Sequence, residues 1–347
     1  MRYPQQEFLF PFPNGWYVIE QSEKLKKGQI LTKKFAGEDI VIFRLENGQA
    51  CASTAYCPHL GAHFGFGGKI VENTIKCPFH DFEFNQLGVC TKTSYGTKPP
   101  VKAKLFMYEL REKNGLLLIW FDEKGNKPNW EIPSFESKGW SNLMTVDWKL
   151  RSHPQETTEN SVDIGHFASV HGYKQVEVID EATIDGPILH AKYAMHRKAG
   201  FLGKSNEHIR VEFYAEAHGL GYSIVEAHIP KFDITTRHLV LPTPIEGNFI
   251  NLKIGMMVKD IQHPEKINAL LKLVPRKLIQ NIILRTAFKG YQFDVSQDFK
   301  IWENKIYITP PALAKGDGPV GLYRKWAKQF YYQKESVSSL SEPFTAN

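Results

Sequence analysis

The sequence predicts an α+β protein of two domains: an all-β domain over residues 14–126, then a domain over residues 131–347 built from an antiparallel sheet with flanking helices. Three observations carry this. The 347 residues exceed what one hydrophobic core usually holds. Residues 14 to about 121 read as short β-rich runs separated by turns, whereas later alternating runs are flanked by two helical stretches. Between them, Lys127-Pro128-Asn129-Trp130-Glu131-Ile132-Pro133 breaks the pattern with two prolines.

Composition narrows the class. With 42% hydrophobic and 23% charged residues the chain is globular, and no apolar run reaches the length that crosses a bilayer. The opening residues 1–16 are aromatic and broken by prolines, unlike a signal peptide, so the expected location is cytoplasmic. The net charge of +6 reads as mild and unclustered, suited to an acidic electron carrier or simply to solvation. No repeat or nucleic-acid motif stands out. No Gly-rich dinucleotide fingerprint is visible either.

In the first domain, Trp16-Tyr17-Val18-Ile19, Ile40-Val41-Ile42-Phe43, Lys69-Ile70-Val71 and Leu116-Leu117-Leu118-Ile119-Trp120 are rich in β-formers. Asn47-Gly48 and Asn114-Gly115 are hairpin turns between such runs. Inside this unit lie Cys57-Pro58-His59 and, after a gap of seventeen residues, Cys77-Pro78-Phe79-His80. Two thiolates and two imidazoles in this frame are the ligand set of a Rieske [2Fe-2S] centre, in which neutral imidazoles on one iron raise the reduction potential. Cys57 and Cys77 would hold the inner iron, and His59 and His80 the outer one. Tetrahedral zinc is the competitor, but zinc fingers group Cys with Cys and His with His, whereas here the ligands alternate. Pro58 and Pro78 stiffen the loops, and Gly61, Gly65, Gly67 and Gly68 permit close backbone approach to the cluster. Cys51 and Cys90 remain as buried thiols rather than a secreted-type disulfide framework.

The second constellation is Glu159-Asn160-x-x-Asp163-x-x-His166-x4-His171, within a helical stretch over 156–171 that ends near Gly172. On an ideal helix Asn160, Asp163 and His166 step along one face by about 60° each, but His171 falls about 140° from His166. One metal is held by both histidines only if the helix distorts or ends between them. Two His with a distant carboxylate make the facial triad of non-haem Fe(II) oxygenases, with positions left open for dioxygen. Residues 175–258 return to alternating strands. Along them Val211, Phe213, Ala215 and Ala217 form an apolar face, and Glu212, Tyr214, Glu216 and His218 a face free to meet a cavity. His190, His218 and His228 have no ligand spacing. Phe201-Leu202-Gly203, Met256 and Met257 are candidates for lining a flat apolar pocket.

Taken together, these motifs resemble the α subunit of a Rieske non-haem iron oxygenase over nearly the whole chain. Gln297-Asp298-Phe299-Lys300-Ile301-Trp302 and Gly316-Asp317-Gly318-Pro319 with Arg324-Lys325-Trp326 narrow the resemblance to the branch of 3-ketosteroid 9α-hydroxylase oxygenases and cholesterol 7-desaturases. Asp81-Phe82 departs from the Gly-Trp that often follows the second cluster His. The resemblance implies a helix-grip catalytic domain with His166, His171 and Asp298 on a mononuclear Fe2+. Asp294, four residues earlier on the same helix face, competes with Asp298 on spacing alone. Asn160 would lie near the iron. Asp163 would bridge a cluster His of one subunit to an iron-bound His of its neighbour, or else merely cap the helix. Such a bridge implies a head-to-tail homotrimer. The partners implied are a separate NAD(P)H-dependent reductase or ferredoxin, O2 and an apolar sterol- or steroid-like substrate, hydroxylated or desaturated. The alternatives are aromatic-ring oxygenation or oxidative O-demethylation within the superfamily and, outside it, a non-enzymatic Rieske electron carrier. More than two hundred residues beyond the cluster domain argue against a bare carrier.

Overall fold

The structure is a computed structural model that describes residues 11–200 and 207–332. The pocket candidates Phe201, Leu202 and Gly203 lie outside the described residues. Ten short strands come first: β1 (Gly15–Gln21), β2 (Ile30–Phe35), β3 (Glu38–Arg44), β4 (Ala50–Thr54), β5 (Lys69–Val71), β6 (Thr74–Lys76), β7 (Glu83–Asn85), β8 (Cys90–Lys92), β9 (Leu110–Lys113) and β10 (Leu116–Phe121). They form three antiparallel sheets, ordered β1-β10-β9, β2-β3-β4 and β5-β6-β7-β8. Asn47-Gly48 joins β3 to β4 and Asn114-Gly115 joins β9 to β10, as the hairpin chemistry requires. Phe64, Ile75, Phe84, Cys51 and Cys90 pack around Cys57 and Cys77, so the cluster loops rest on a core of their own. Cys51 and Cys90 are buried free thiols, and burial pushes Cys51 up to about 11.

The second half adds β11 (Met144–Arg151), α1 (Pro154–Glu159), α2 (Gly165–Ser169), β12 (Lys174–Asp185), β13 (Ile188–Lys198), β14 (His208–His218), β15 (Tyr222–Ile229), β16 (Ile234–Glu246), β17 (Phe249–Val258), α3 (Arg276–Asn304) and α4 (Val320–Ala327). Its seven strands form one antiparallel sheet, ordered β11-β17-β16-β15-β14-β13-β12. Strand alternation decides what each face meets. On β15 and β16, Tyr222, Ile224, Leu239 and Leu241 pack against Trp16, Val18, Leu116 and Leu118 of the first domain. The opposite face packs on α3 through Ile279, Ile283, Leu284 and Phe288, and on α4 through Tyr323 and Trp326. Burying apolar area on both faces makes the sheet the shared wall of the two halves. Among the described residues no helix is long and apolar enough to cross a membrane.

Two expectations change. The stretch 156–171 is not one helix. α1 ends at Glu159, Asn160 is its C-terminal cap, and α2 starts only at Gly165. Glu159 is held by Arg324 Nε at 2.6 Å, and the Thr158 hydroxyl donates to Leu220 O at 3.0 Å, so α1 is pinned from two sides before the chain turns. The one-face geometry of Asn160, Asp163 and His166 on a continuous helix therefore does not apply. On β14 the apolar face, not the polar one, meets the cavity. Phe213 lines it, while Tyr214 is exposed and bonds to Glu216, because the covered side of the sheet lies under α3.

Candidate active site

The two cluster loops are built alike. Cys57 N donates to Ala62 O and Cys77 N to Phe82 O, each at 2.8 Å, closing two six-residue turns that begin Cys-Pro. The fifth residue of each turn takes a left-handed backbone, Gly61 at φ +77 and Asp81 at φ +54. This explains why the resembling family often has Gly after its second His, and what Asp81 replaces. His59 and His80 lie side by side at the tips, ring centroids 4.8 Å apart, and Phe82 stacks on His59 at 4.3 Å. Cys57 and Cys77 are both buried with their thiols within hydrogen-bond reach, and burial first, then Cys77, pushes Cys57 up to about 12. His80 Nδ1 is buried and without a partner. A buried thiol pair beside an unpartnered imidazole nitrogen is the donor set that an iron–sulfur cluster satisfies.

The second centre gathers residues from distant elements. Ligand atoms of His166, His171 and Asp298 all lie within 4.8 Å of one another. His166 comes from α2, and His171 follows the end of that helix at Ser169, with Gly172 at φ +65 turning the chain away. The expected break between the two histidines is present. Asp298 comes from α3, and its Oδ2 lies 3.6 Å from His171 Nε2. Each imidazole has its other nitrogen engaged. His171 Nδ1 lies 2.9 Å from Gln297 Oε1, and His166 Nδ1 contacts the Asp163 carbonyl oxygen. Both rings thus present Nε2 to the centre, as ligating histidines held from behind do. Burial raises Asp298 above the usual carboxylate range against the opposing pull of His171 and His166, a cost that a cation between the three groups would remove.

Asp294 is accounted for differently. Its Oδ2 accepts from the Tyr173 hydroxyl at 2.8 Å and from Arg197 at 3.0 Å. Asn160 lines the cavity beside the triad. Asp163 stands in the turn between α1 and α2, with Oδ1 accepting from the His166 backbone N–H at 3.2 Å, and its side chain is 36% exposed. Burial would raise it, but the hydrogen bonds and charge of His166 outweigh that and hold it low, so it carries its charge at neutral pH.

The cavity above the triad is mostly apolar, walled by Phe167, Tyr193, Met195, Phe213, Val240 and Trp302. A second cavity shares Arg197, Phe213, His238 and Tyr291 with it and continues to Met256 and to Thr286, Ala287 and Gly290 of α3. Met256 thus lines the path as anticipated, whereas Met257 points to the other face of β17, opposite Arg237. Sequence reasoning missed Gln297, Arg197 and His238. Gln297 precedes Asp298 and was visible in the motif. His238 sits in the alternation Thr236, His238, Val240 on β16, where one imidazole among core residues gives no signal. Burial drives it down to about 3, so it is neutral. His190, His218 and His228 have ordinary partners, Tyr214, Glu216 and Thr235 respectively.

Comparison with known proteins gives the family of both halves. Residues 15–105 match the Rieske [2Fe-2S] domain and residues 119–331 the 3-ketosteroid 9α-hydroxylase C-terminal domain. The chain is 29% identical over 343 residues to the cholesterol 7-desaturase of Caenorhabditis elegans, covering 92% of this chain and 77% of that protein. It is 27% identical over 337 residues to the oxygenase component of the 3-ketosteroid-9-alpha-monooxygenase of Rhodococcus rhodochrous, covering 94% and 83%. Among solved structures, the Pseudomonas putida CBB5 NdmA QL mutant with caffeine shares the fold at a TM-score of 0.69 and 16% identity, covering 90% of this chain and 89% of that one. With a family match across more than half of its length, the chain belongs to the Rieske oxygenases whose catalytic half is the 3-ketosteroid 9α-hydroxylase C-terminal domain.

Proposed function

We propose that this protein is the terminal oxygenase of a multicomponent system and that it hydroxylates or desaturates a sterol- or steroid-like apolar substrate. The observation that carries this is an apolar cavity ending on His166, His171 and Asp298. Cys57, His59, Cys77 and His80 hold the [2Fe-2S] cluster, and His166, His171 and Asp298 hold the mononuclear Fe2+. When bound, these groups supply one-electron transfer and dioxygen activation. The protein's own work is geometric. Gln297 and the Asp163 carbonyl fix the two imidazoles, aromatic walls exclude water, and Asn160 flanks the position where substrate and triad meet.

Asp163 is the residue through which subunits communicate in this reading. It is charged and partly exposed, and one oxygen remains for a second imidazole N–H. That role requires a head-to-tail homotrimer, with a separate NAD(P)H-dependent reductase or ferredoxin delivering electrons. We place the protein in the cytoplasm, where nicotinamide-linked reduction and four reduced cysteines are compatible.

The test is chemical. Purified protein should show a Rieske-type signal on reduction, and His166→Ala should abolish product while leaving that signal intact. Undiminished turnover in the variant would overturn the iron assignment. Product masses from cholesterol, a 3-ketosteroid and a methoxylated benzoate separate the substrate classes, since hydroxylation adds oxygen, desaturation removes two hydrogens and demethylation removes a methylene.

A further inference from the structure

One acid-free basic run of the chain lies in the second half, where the reading from composition saw no cluster. From Lys266 to Phe293 there are six Lys or Arg and no Asp or Glu, a surplus equal to the net +6 of the whole chain. Lys266 lies 3.8 Å from Asp233 and Arg276 bonds to Gln262, but Lys272, Lys277, Arg285 and Lys289 make no ion pair among the described residues. The same segment exposes several large apolar side chains. Leu270 is 72% and Leu273 87% exposed on the turn before α3, and Leu278 and Ile282 are half exposed on its first turns. These are not loose core residues. Ile279, Ile283 and Leu284 on the other side of the helix anchor it to the sheet, so the leucines stand on a fixed outer face.

We propose that this face, from Lys266 to Lys289, docks on an anionic lipid bilayer. Protruding leucines enter the boundary between headgroups and acyl chains, while unpaired lysines and arginines reach anionic headgroups at its rim. Charge complementarity and the high exposure of the leucines select this occupant. Single leucines on a turn need no shaped pocket in a fluid interface, whereas a protein partner would have to provide one. The cavity geometry adds a use. Thr286, Ala287 and Gly290, one to two turns beyond Ile282, line the second cavity, which shares Arg197, Phe213, His238 and Tyr291 with the catalytic one. A substrate dissolved in the bilayer would enter beside the docked helix. That use rests on the sterol reading, but the docking itself does not.

The experiment is sedimentation of the full chain with vesicles of phosphatidylcholine alone and of phosphatidylcholine enriched in phosphatidylserine. Binding is expected to the anionic vesicles and to weaken as salt is raised. Leu270→Ser with Leu273→Ser, and separately Lys272→Gln with Lys277→Gln, should each weaken it roughly ten-fold or more. Absence of binding, or binding that neither pair diminishes, overturns the proposal. A loss of oligomer mass in the leucine pair without vesicle binding by the wild type also overturns it, marking the face as a contact between copies. Turnover of cholesterol embedded in vesicles should fall in both pairs, and turnover of cyclodextrin-solubilised cholesterol should not. Equal turnover from vesicles in the variants overturns the uptake role. No turnover of either form, with vesicle binding intact, counts against the sterol reading alone.

Discussion

At the residue scale, two side chains carry more than the motifs suggest. Asp81 occupies a left-handed position that its counterpart Gly61 fills without a Cβ, and its ion pair with Lys76 at 3.0 Å is largely solvent-exposed. Asp81→Gly should therefore stabilise the Rieske half by about 0.5 kcal/mol. Chemical denaturation would register this, and a loss of stability would mean that the Lys76 pair outweighs the strain. Gln297 fixes the His171 ring from behind. Gln297→Leu keeps the volume and removes the acceptor, so Fe2+ affinity should drop about 10–100-fold while the Rieske spectrum stays unchanged. Iron titration followed by dialysis is the check, and wild-type retention would reduce Gln297 to a packing residue.

At the scale of elements, the site depends on a turn rather than a helix. The segment between α1 and α2 carries Asp163 and delivers His166, and the Gly316–Pro319 loop packs directly on it. At Gly318, with φ +83, a Cβ would meet Val162 O at 2.3 Å. Neither the backbone conformation nor the space accepts a side chain. Gly318→Ala should cost about 1–3 kcal/mol and displace the turn, so iron content falls together with the melting temperature. Unchanged iron content in a destabilised protein would separate the loop from the site. Helical spacing in the sequence could not reveal this break, because pinning of α1 by Arg324 and Leu220 is a tertiary effect. The same holds for β14, where alternation identified two faces but not which one α3 would cover.

At the scale of the whole molecule, pH acts through two histidines buried uncharged. Burial lowers both His153, which caps α1, and His238, in the cavity wall, to about 3. Their folded values lie below the unfolded value near 6.5, so the unfolded chain takes up protons first as pH falls. Stability is thus full above about pH 6.5 and declines toward pH 3. One unit below 6.5 the two together remove about 3 kcal/mol at most. Thermal melts across this range should show the decline, and His238→Gln should flatten it. An identical slope in that variant would assign the acid sensitivity elsewhere.

What the sequence determined by itself is the donor chemistry. Two Cys-Pro loops with alternating Cys and His, and the His166-x4-His171 pair, are legible because metal ligands need particular residue types at short spacings. The strand runs and Asn-Gly turns are legible for the same local reason. Spacing left two carboxylates open, and tertiary structure gave them different surroundings. Asp294 and Asp298 share a helix face, but Arg197 and Tyr173 engage the first while the second faces the histidines. It also decided which sheet face became a cavity, and that exposed leucines meet, on one surface, lysines without an ion pair among the described residues. The roles of the carboxylates and of the sheet faces depend on which elements pack together far apart in the chain, and the exposure of the leucines on which side of α3 meets the sheet; no local pattern encodes either.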